Sequence, residues 1–539
     1  MVTISSDIFK LYKDHPIKSY QDEDRYKKKC FIYEKKFKGL ILKNLEKKGK
    51  SDFFFNSLLD PWINLYVESV FLKYLLIKKK KKVVLKNFNL YFPEIENCEK
   101  FGYLIQKSEG FNQHLIKDIA EFFNIKVELK NKTYFKEKIS KDKKIISLKL
   151  KEHIRKKFSK FFYKVSNITD KPNIILDNIF HFRDELSIIL KNKFLYKIIQ
   201  LQEFKKEINS FDLSIKNSFK QDEFLNLLTY LSKKYFPDKI KSILSNISDI
   251  EEYKKKENKN ILVTRNLSSI NEDYRIFVAQ NNKNLRIFSV QHGGGYGHIK
   301  NFYLQKFETE NSQSFLSWGW KNRNPKIKPL ALKKENIFEQ EKNENKDKKI
   351  LFVGSNYCLY EFRLNTVPIA SRVLYNSNFL KNKVKLLNTL RSVGKIIYKP
   401  HSANDWYQSL GLKKMNIKIY KGKKNLSQLA RENNLIILSS ISTSFMEMMS
   451  LNKPLLLYLE KNIYRFENNF QNILNEMKKH NILHHDIHSI KKFLSSNKFN
   501  TNYWYNNKTQ KFIKKFLDLY YLSDKMYVKK FEKKFKKYI

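Results

Sequence analysis

Apolar residues recur at three- and four-residue intervals through SLLDPWINLYVESVFLKYLL (57–76), so residues 1–80 read as helical and charged, with Pro61 placed as a helix start. KKVVLKN (81–87) reads as a short buried strand. FNQHLIKDIAEFF (111–123) has the period of an amphipathic helix, and IKVELK (125–130) reads as a second strand. Helical periodicity dominates residues 135–250, as in FHFRDELSIILKNKFLYKIIQLQEF. From Asn260 the pattern alternates: NILVTRN as strand, Tyr274 to Gln280 as helix, LRIFSV (285–290) as strand, a glycine-rich loop, then SFLSWGW (314–320) as a further strand.

KKENIFEQEKNENKDKK (333–349) is polar, charged and without period, which predicts a linker over 333–348. Beyond it, KILFVGS (349–355) is a strand entering a loop, followed by a helix pattern to about Arg391. GKIIYKPH (394–401), NIKIY (416–420), LIILSS (435–440) and PLLLYLE read as strands, with NLSQLARENN and STSFMEMMSLN as helices between them. This alternation is the signature of parallel sheets covered by helices on both faces. It predicts an α/β fold of two Rossmann-like domains facing a cleft. The first spans 1–332 with helical insertions at about 1–80 and 135–250. The second spans 349–485, and basic helices follow over 486–539.

With 539 residues the chain suits two or three domains, and 42% hydrophobic content is enough to fill their cores. The net charge of +52 raises nucleic acid as a partner. Yet lysine is abundant together with asparagine, isoleucine and phenylalanine, while glycine (13) and proline (10) are scarce, as AT-rich coding produces. The lysines are spread along the chain, and no zinc-finger, RRM or basic-zipper signature is present, so nucleic acid is disfavoured. A field of this sign still attracts nucleotides, phospholipid head groups and acidic glycans. Cys30, Cys98 and Cys358 are far apart and form no CxxC pair, which excludes a disulfide framework and fits a reducing cytoplasm. The opening MVTISSDIFKLYKDH has no apolar core of signal-peptide length, and no apolar run reaches the ~18 residues of a spanning helix. The tail segments FIKKFLDLYYL and YVKKFEKKFKKYI either lie on an anionic membrane surface at its inner face or pack inward with solvated lysines.

Candidate chemistry concentrates in three stretches. In SVQHGGGYGHIK (289–300), Gly293, Gly294, Gly295 and Gly297 gather in a chain that otherwise avoids glycine, after a predicted strand. His292 and His298 flank them as candidate acid or base groups. The spacing matches neither the dinucleotide fingerprint nor a P-loop, and a tight structural turn is the alternative. In LIILSSISTSFMEMMSLNKPLLLY (435–458), Ser440, Ser442, Thr443 and Ser444 sit where a strand passes into a helix, a place suited to anions, and Glu447 lies one turn in. In IIYKPHSANDW (396–406), Lys399 and His401 end a strand, adding a cation and an imidazole. Asp22-Glu23-Asp24 is the one DxD, in a charged surface region, so no metal site is expected.

The order strand, KPH, strand, helix, strand, SSIST, helix, KP, strand resembles the C-terminal half of GT-B glycosyltransferases. It is similar in character to capsule Kdo transferases and bacterial sialyltransferases, whose His-Pro motif appears here in the order Pro400-His401. QHGGGYG, SWGW and LLDPWINLYVESVFLKY resemble a narrower family of transferases from surface-polysaccharide and nonulosonic-acid gene clusters, in which Arg363 matches a recurring arginine. The resemblance implies transfer of a sugar from a nucleotide donor, CMP-activated, to a glycan or lipid-linked acceptor, without metal or other cofactor. Ser440, Ser442, Thr443 and His401 would surround the donor phosphate, His292 or His298 would act as base, and Lys399 and Arg363 would stabilise the departing nucleotide. A CDP-polyol phosphotransferase of the teichoic-acid kind and a nucleotide-sugar 2-epimerase are the enzymatic alternatives.

Overall fold

A computed structural model of the chain describes residues 17, 19–45, 50–135, 173–192, 195–199, 201–207, 222–254, 260–331, 349–355, 360, 362–364, 379–401, 410–461, 463–497 and 501–538. The predicted linker 333–348, Cys358 and much of 135–250 lie outside these residues. The chain forms two compact units. The first comprises Ile4–Ile287 with Leu359–Leu364, and the second Phe288–Cys358 with Asn365–Tyr538.

In the first unit, helix α1 (Tyr20–Asn44) opens with a capping box: Ser19 accepts from the Asp22 amide, and the Asp22 carboxylate accepts from the Ser19 amide at 3.0 Å. The DxD motif is therefore partly spent on capping. Helix α2 (Asp52–Ile77) is capped by Ser51, so Pro61 does not start it but lies inside. A proline there leaves the carbonyl four residues back without its helical donor. Arg275 supplies a substitute, its Nη1 donating to Ser57 O at 3.4 Å. This compensation comes from far along the chain, which local pattern does not reveal. Strands β1 (Lys82–Lys86) and β2 (Lys126–Lys130) pair in parallel, with helices α3 (Cys98–Lys107) and α4 (Glu109–Phe122) between them in the chain.

Strands β3 (Ile174–Asp177) and β4 (Tyr196–Ile198), joined through helix α5 (Phe182–Lys191), correct the helical reading of 135–250. Both are short, buried apolar runs, for which period alone cannot separate strand from helix. Helices α6 (Glu223–Tyr235) and α7 (Asp238–Ser245) follow, then strand β5 (Asn260–Thr264) and helix α8 (Glu272–Asn281). Strand β3 pairs in parallel with both β4 and β5.

The chain enters the second unit within strand β6 (Leu285–Val290). Helix α9 (Tyr303–Glu310) leads to strands β7 (Ser314–Ser317) and β8 (Ile327–Pro329), and β6, β7 and β8 pair in parallel. The same unit holds a six-stranded parallel sheet. Its strands are β9 (Lys349–Val353), β10 (Lys395–Lys399), β11 (Lys418–Ile419), β12 (Leu435–Leu438), β13 (Leu455–Tyr458) and β14 (Leu483–His484). Their order is β11-β10-β9-β12-β13-β14, which is the 3-2-1-4-5-6 order of a doubly wound Rossmann sheet. Helices α10 (Phe379–Arg391), α11 (Leu426–Arg431), α12 (Thr443–Ser450), α13 (Asn468–Lys479) and α14 (Ile487–Asn497) accompany it. The α/β expectation of parallel sheets with helical crossovers is met.

Helices α15 (Asn502–Tyr505), α16 (Asn507–Tyr520) and α17 (Tyr527–Lys536) complete the unit. Phe512, Ile513, Phe516 and Leu517 of α16 are buried in one core with Trp320, Ile436 and Phe445. Phe531 and Phe535 of α17 are at 0% exposure, Phe535 lying 5.0 Å from Phe288. The apolar faces of the tail are thus occupied by protein and its lysines face outward. Among the described residues no helix is long and apolar enough to cross a membrane.

Candidate functional site

In an open parallel sheet, ligands bind beyond the carboxyl ends of the strands, where the strand order reverses. Here that point lies between β9 and β12. Strand β9 leads through Gly354 into Ser355, and β12 leads directly into Ser439 and Ser440. Ser355 Oγ lies 3.0 Å from Ser439 Oγ and 3.0 Å from Ser440 Oγ. Three hydroxyls thus converge where a ligand is expected.

Helix α12 begins immediately beyond. Ser442 is its N-cap by backbone geometry, yet its hydroxyl makes no capping hydrogen bond. The Thr443 hydroxyl instead accepts from the Gly294 amide at 2.8 Å. The glycine-rich loop and the serine segment, distant in sequence, therefore meet at a helix N-terminus. Glycine is needed for that approach: a Cβ on Gly294 would fall 2.4 Å from the backbone of Ser442 and Thr443. Gly297, at φ +78°, faces Trp320, where a Cβ would fall 2.4 Å from the indole. Gly293 has an ordinary contact to Thr443, and Gly295 turns toward Phe302.

Gln291 fixes the loop from the other side. Its amide donates to Gly293 O at 3.0 Å, and its Oε1 accepts from the Trp318 amide (2.9 Å) and the Trp320 indole (2.8 Å). This bond set ties QHGGGYG to SWGW.

The two loop histidines differ sharply. His298 is at 0% exposure, 4.8 Å from the Phe470 ring, with Nδ1 3.1 Å from Tyr296 O. Burial above all pushes its pKa down to about 4, which keeps its imidazole neutral within the packing. His292 has a side chain 33% exposed. Its Nδ1 lies 3.1 Å from Tyr296 Oη and 3.6 Å from Glu308 Oε1, and its Nε2 lies 3.3 Å from the same tyrosine oxygen. Tyr296 Oη donates to Glu308 Oε2 at 3.1 Å.

The remaining candidates are more scattered. Lys399 and His401 end strand β10, beside β9, both half-buried, with Lys399 Nζ 5.4 Å from the Tyr420 ring. Ser444 and Glu447 are half-buried on α12, and the Glu447 carboxylate raises the pKa of Tyr521, adding to the larger effect of burial. Arg363 belongs to the first unit, 5.6 Å from the Phe362 ring, and is among the cations that oppose the burial-driven rise of the Glu34 pKa. Sequence reasoning passed over Ser355, Tyr296, Gln291 and Glu308. Ser355 had a signal, closing the first strand of the second sheet. Glu308 had none, since it sits on an unremarkable amphipathic helix. Concavity alone does not single out the site: cavities of about 660 and 790 Å³ open elsewhere, beside Tyr26 and Tyr74 and beside His480 and Lys515.

Among solved structures, the chain is similar to a variant of the wall teichoic acid polymerase TagF, at 10% identity over 72% of this chain and 96% of that one, with a TM-score of 0.33. The TagF structure without the substitution aligns at 11% identity over 73% of this chain and 95% of that one, with a TM-score of 0.32. No curated protein matches the chain in sequence. The model of the LIC12162 family of transferases matches residues 6–535, nearly the whole length, and the chain belongs to that family.

Proposed function

We propose that the chain is a glycosyltransferase that carries a sugar from a nucleotide donor, CMP-activated and of the acidic kind, to a cell-surface glycan, on a GT-B-like framework. The observation that carries this reading is the meeting of the glycine loop with the N-terminus of α12, beside Ser355, Ser439 and Ser440 at the sheet's reversal point. The amides of a helix N-terminus, hydroxyl donors and a closely approaching glycine backbone are the groups that hold a phosphate. Ser440, Ser442 and Thr443 would cradle the donor phosphate, with Ser444 and Glu447 further along the helix and Lys399 and His401 at the neighbouring strand end. His292 would take the proton of the acceptor hydroxyl. The departing nucleotide carries negative charge, which the helix N-terminus and Lys399 would stabilise.

The test is product analysis. The purified chain is incubated with CMP-activated Kdo or nonulosonic acid, or with a CDP-polyol, each with oligosaccharide acceptors. A glycosidic product with free CMP from the CMP-sugar supports the proposal. A phosphodiester product from the CDP-polyol would assign phosphotransfer instead, and isomerisation of a lone nucleotide sugar would assign an epimerase.

A further inference from the structure

Glu308 is at 0% exposure on α9, a helix outside the glycine loop, yet its carboxyl group faces His292 of that loop. Its Oε2 accepts from Tyr296 Oη at 3.1 Å and from Ser289 Oγ at 3.4 Å. Its Oε1 is 3.6 Å from His292 Nδ1. Burying a carboxyl group is costly unless it is hydrogen-bonded, and two hydroxyls and an imidazole here converge on one. Tyr296 is itself held rigidly, at 1% exposure, stacked on Phe315 with ring centroids 5.5 Å apart. Because the tyrosine proton is directed to Glu308, the tyrosine oxygen is an acceptor toward the imidazole. With its oxygen 3.1 Å from Nδ1 and 3.3 Å from Nε2, the tyrosine lies at hydrogen-bond distance from either ring nitrogen and couples the ring to the carboxylate.

We infer that Glu308 is a positioning residue which, with Tyr296 as bridge, holds the His292 ring and raises its basicity for proton transfer at the site. This rests on the reading of the site as a transferase centre. The acceptor hydroxyl gives its proton to an imidazole nitrogen of His292, and its oxygen lone pair forms the new bond to the transferred group. The bond from that group to the nucleotide phosphate breaks with its electron pair left on the phosphate oxygen. Glu308 neither gains nor loses a proton; its charge stabilises the imidazolium that forms. Among the described residues, Tyr296 of its own loop and Glu308 of α9 are titratable groups that face His292.

The experiment compares the full chain with Glu308→Gln, Glu308→Asp and Tyr296→Phe, using protein labelled at histidine and His292→Gln to assign the resonance. Removing a carboxylate this close lowers the imidazole pKa by about 1–3 units. Glu308→Gln is expected to show that drop, with CMP affinity and melting temperature near those of the parent. Its kcat is expected to fall about 10²–10⁴-fold at unchanged donor KM, with partial recovery in Glu308→Asp and the acid limb of the rate profile moving with the measured pKa. Tyr296→Phe keeps the carboxylate and should move the imidazole pKa less than Glu308→Gln does. An unmoved His292 pKa in Glu308→Gln would overturn the inference, whatever the activity. A shifted pKa in a chain that transfers nothing from any nucleotide would uphold the positioning and sink the transferase assignment instead.

Discussion

The residue that decides most about the glycine loop is Gly294. Its amide reaches Thr443 only because no side chain stands between two backbones. Gly294→Ala places a methyl group into backbone that cannot rotate away, at a cost of about 1–3 kcal/mol. It should lower the melting temperature and abolish nucleotide binding, whereas Gly293→Ala, whose Cβ meets Thr443 Oγ1 at 3.5 Å, should be tolerated. Melting curves and calorimetry on the two variants check this directly. His298 makes a second prediction. Its pKa is about 4 in the folded chain against an ordinary 6.5. Between these values the unfolded chain binds a proton that the folded chain excludes, so stability falls as pH drops from about 6.5 to 4, then levels off. The loss is about 3 kcal/mol. His298→Phe should flatten that part of the curve relative to the parent, measured by denaturant unfolding at several pH values; an unchanged slope would place the proton elsewhere.

At the scale of elements, helix α2 shows how burial of charge is managed. Glu68 is at 0% exposure and accepts from Lys27, from Asn64 Nδ2 at 3.1 Å and from the Leu364 amide at 2.9 Å. Truncating it takes an acceptor from Lys27 and from the Leu364 amide, while Asn64 Nδ2 keeps Glu34 Oε1 at 2.9 Å. Breaking such a buried pair typically costs about 3–5 kcal/mol, and partial exposure of Lys27 puts Glu68→Ala at the lower end. Chemical denaturation of that variant beside Lys27→Met, which keeps the stem but removes the charge, measures it.

Most elements were legible before the fold was seen. The strands of the second unit announce themselves as apolar runs ending in small or polar residues, as in KILFVGS and LIILSS. Where legibility failed, the cause was distance along the chain. The LYKII run became strand β4 because β3 lies beside it. Pro61 sits inside α2 with Arg275 donating to the freed carbonyl. The serine and glycine segments were each visible, but their contact was not, and Glu308 gave no signal because its role depends entirely on which side chains α9 faces.

For the molecule as a whole, the charge of +52 is the feature that most invites a different function. A diffuse positive surface binds polyanions through counterion release, which weakens steeply with salt. A built phosphate site with hydroxyl and amide donors is less sensitive. Duplex DNA binding should therefore fade between 50 and 500 mM salt while nucleotide binding persists, as fluorescence anisotropy and calorimetry in the same buffers would report. The tail helices make a related prediction. With Phe512, Phe516, Phe531 and Phe535 buried, the chain should not float with neutral liposomes, and any association with anionic ones should be reversed by salt.

The serine cluster and the glycine loop are proposed to hold a donor phosphate together. Calorimetric titration of CMP, CDP, UDP and GDP into the full chain, beside a Ser440→Ala, Ser442→Ala double variant, tests it most directly. Cytidylate binding that the variant loses, at an unchanged melting temperature, is expected. Nucleotide binding that survives in the variant, or binding of none of the four by the parent, would contradict it.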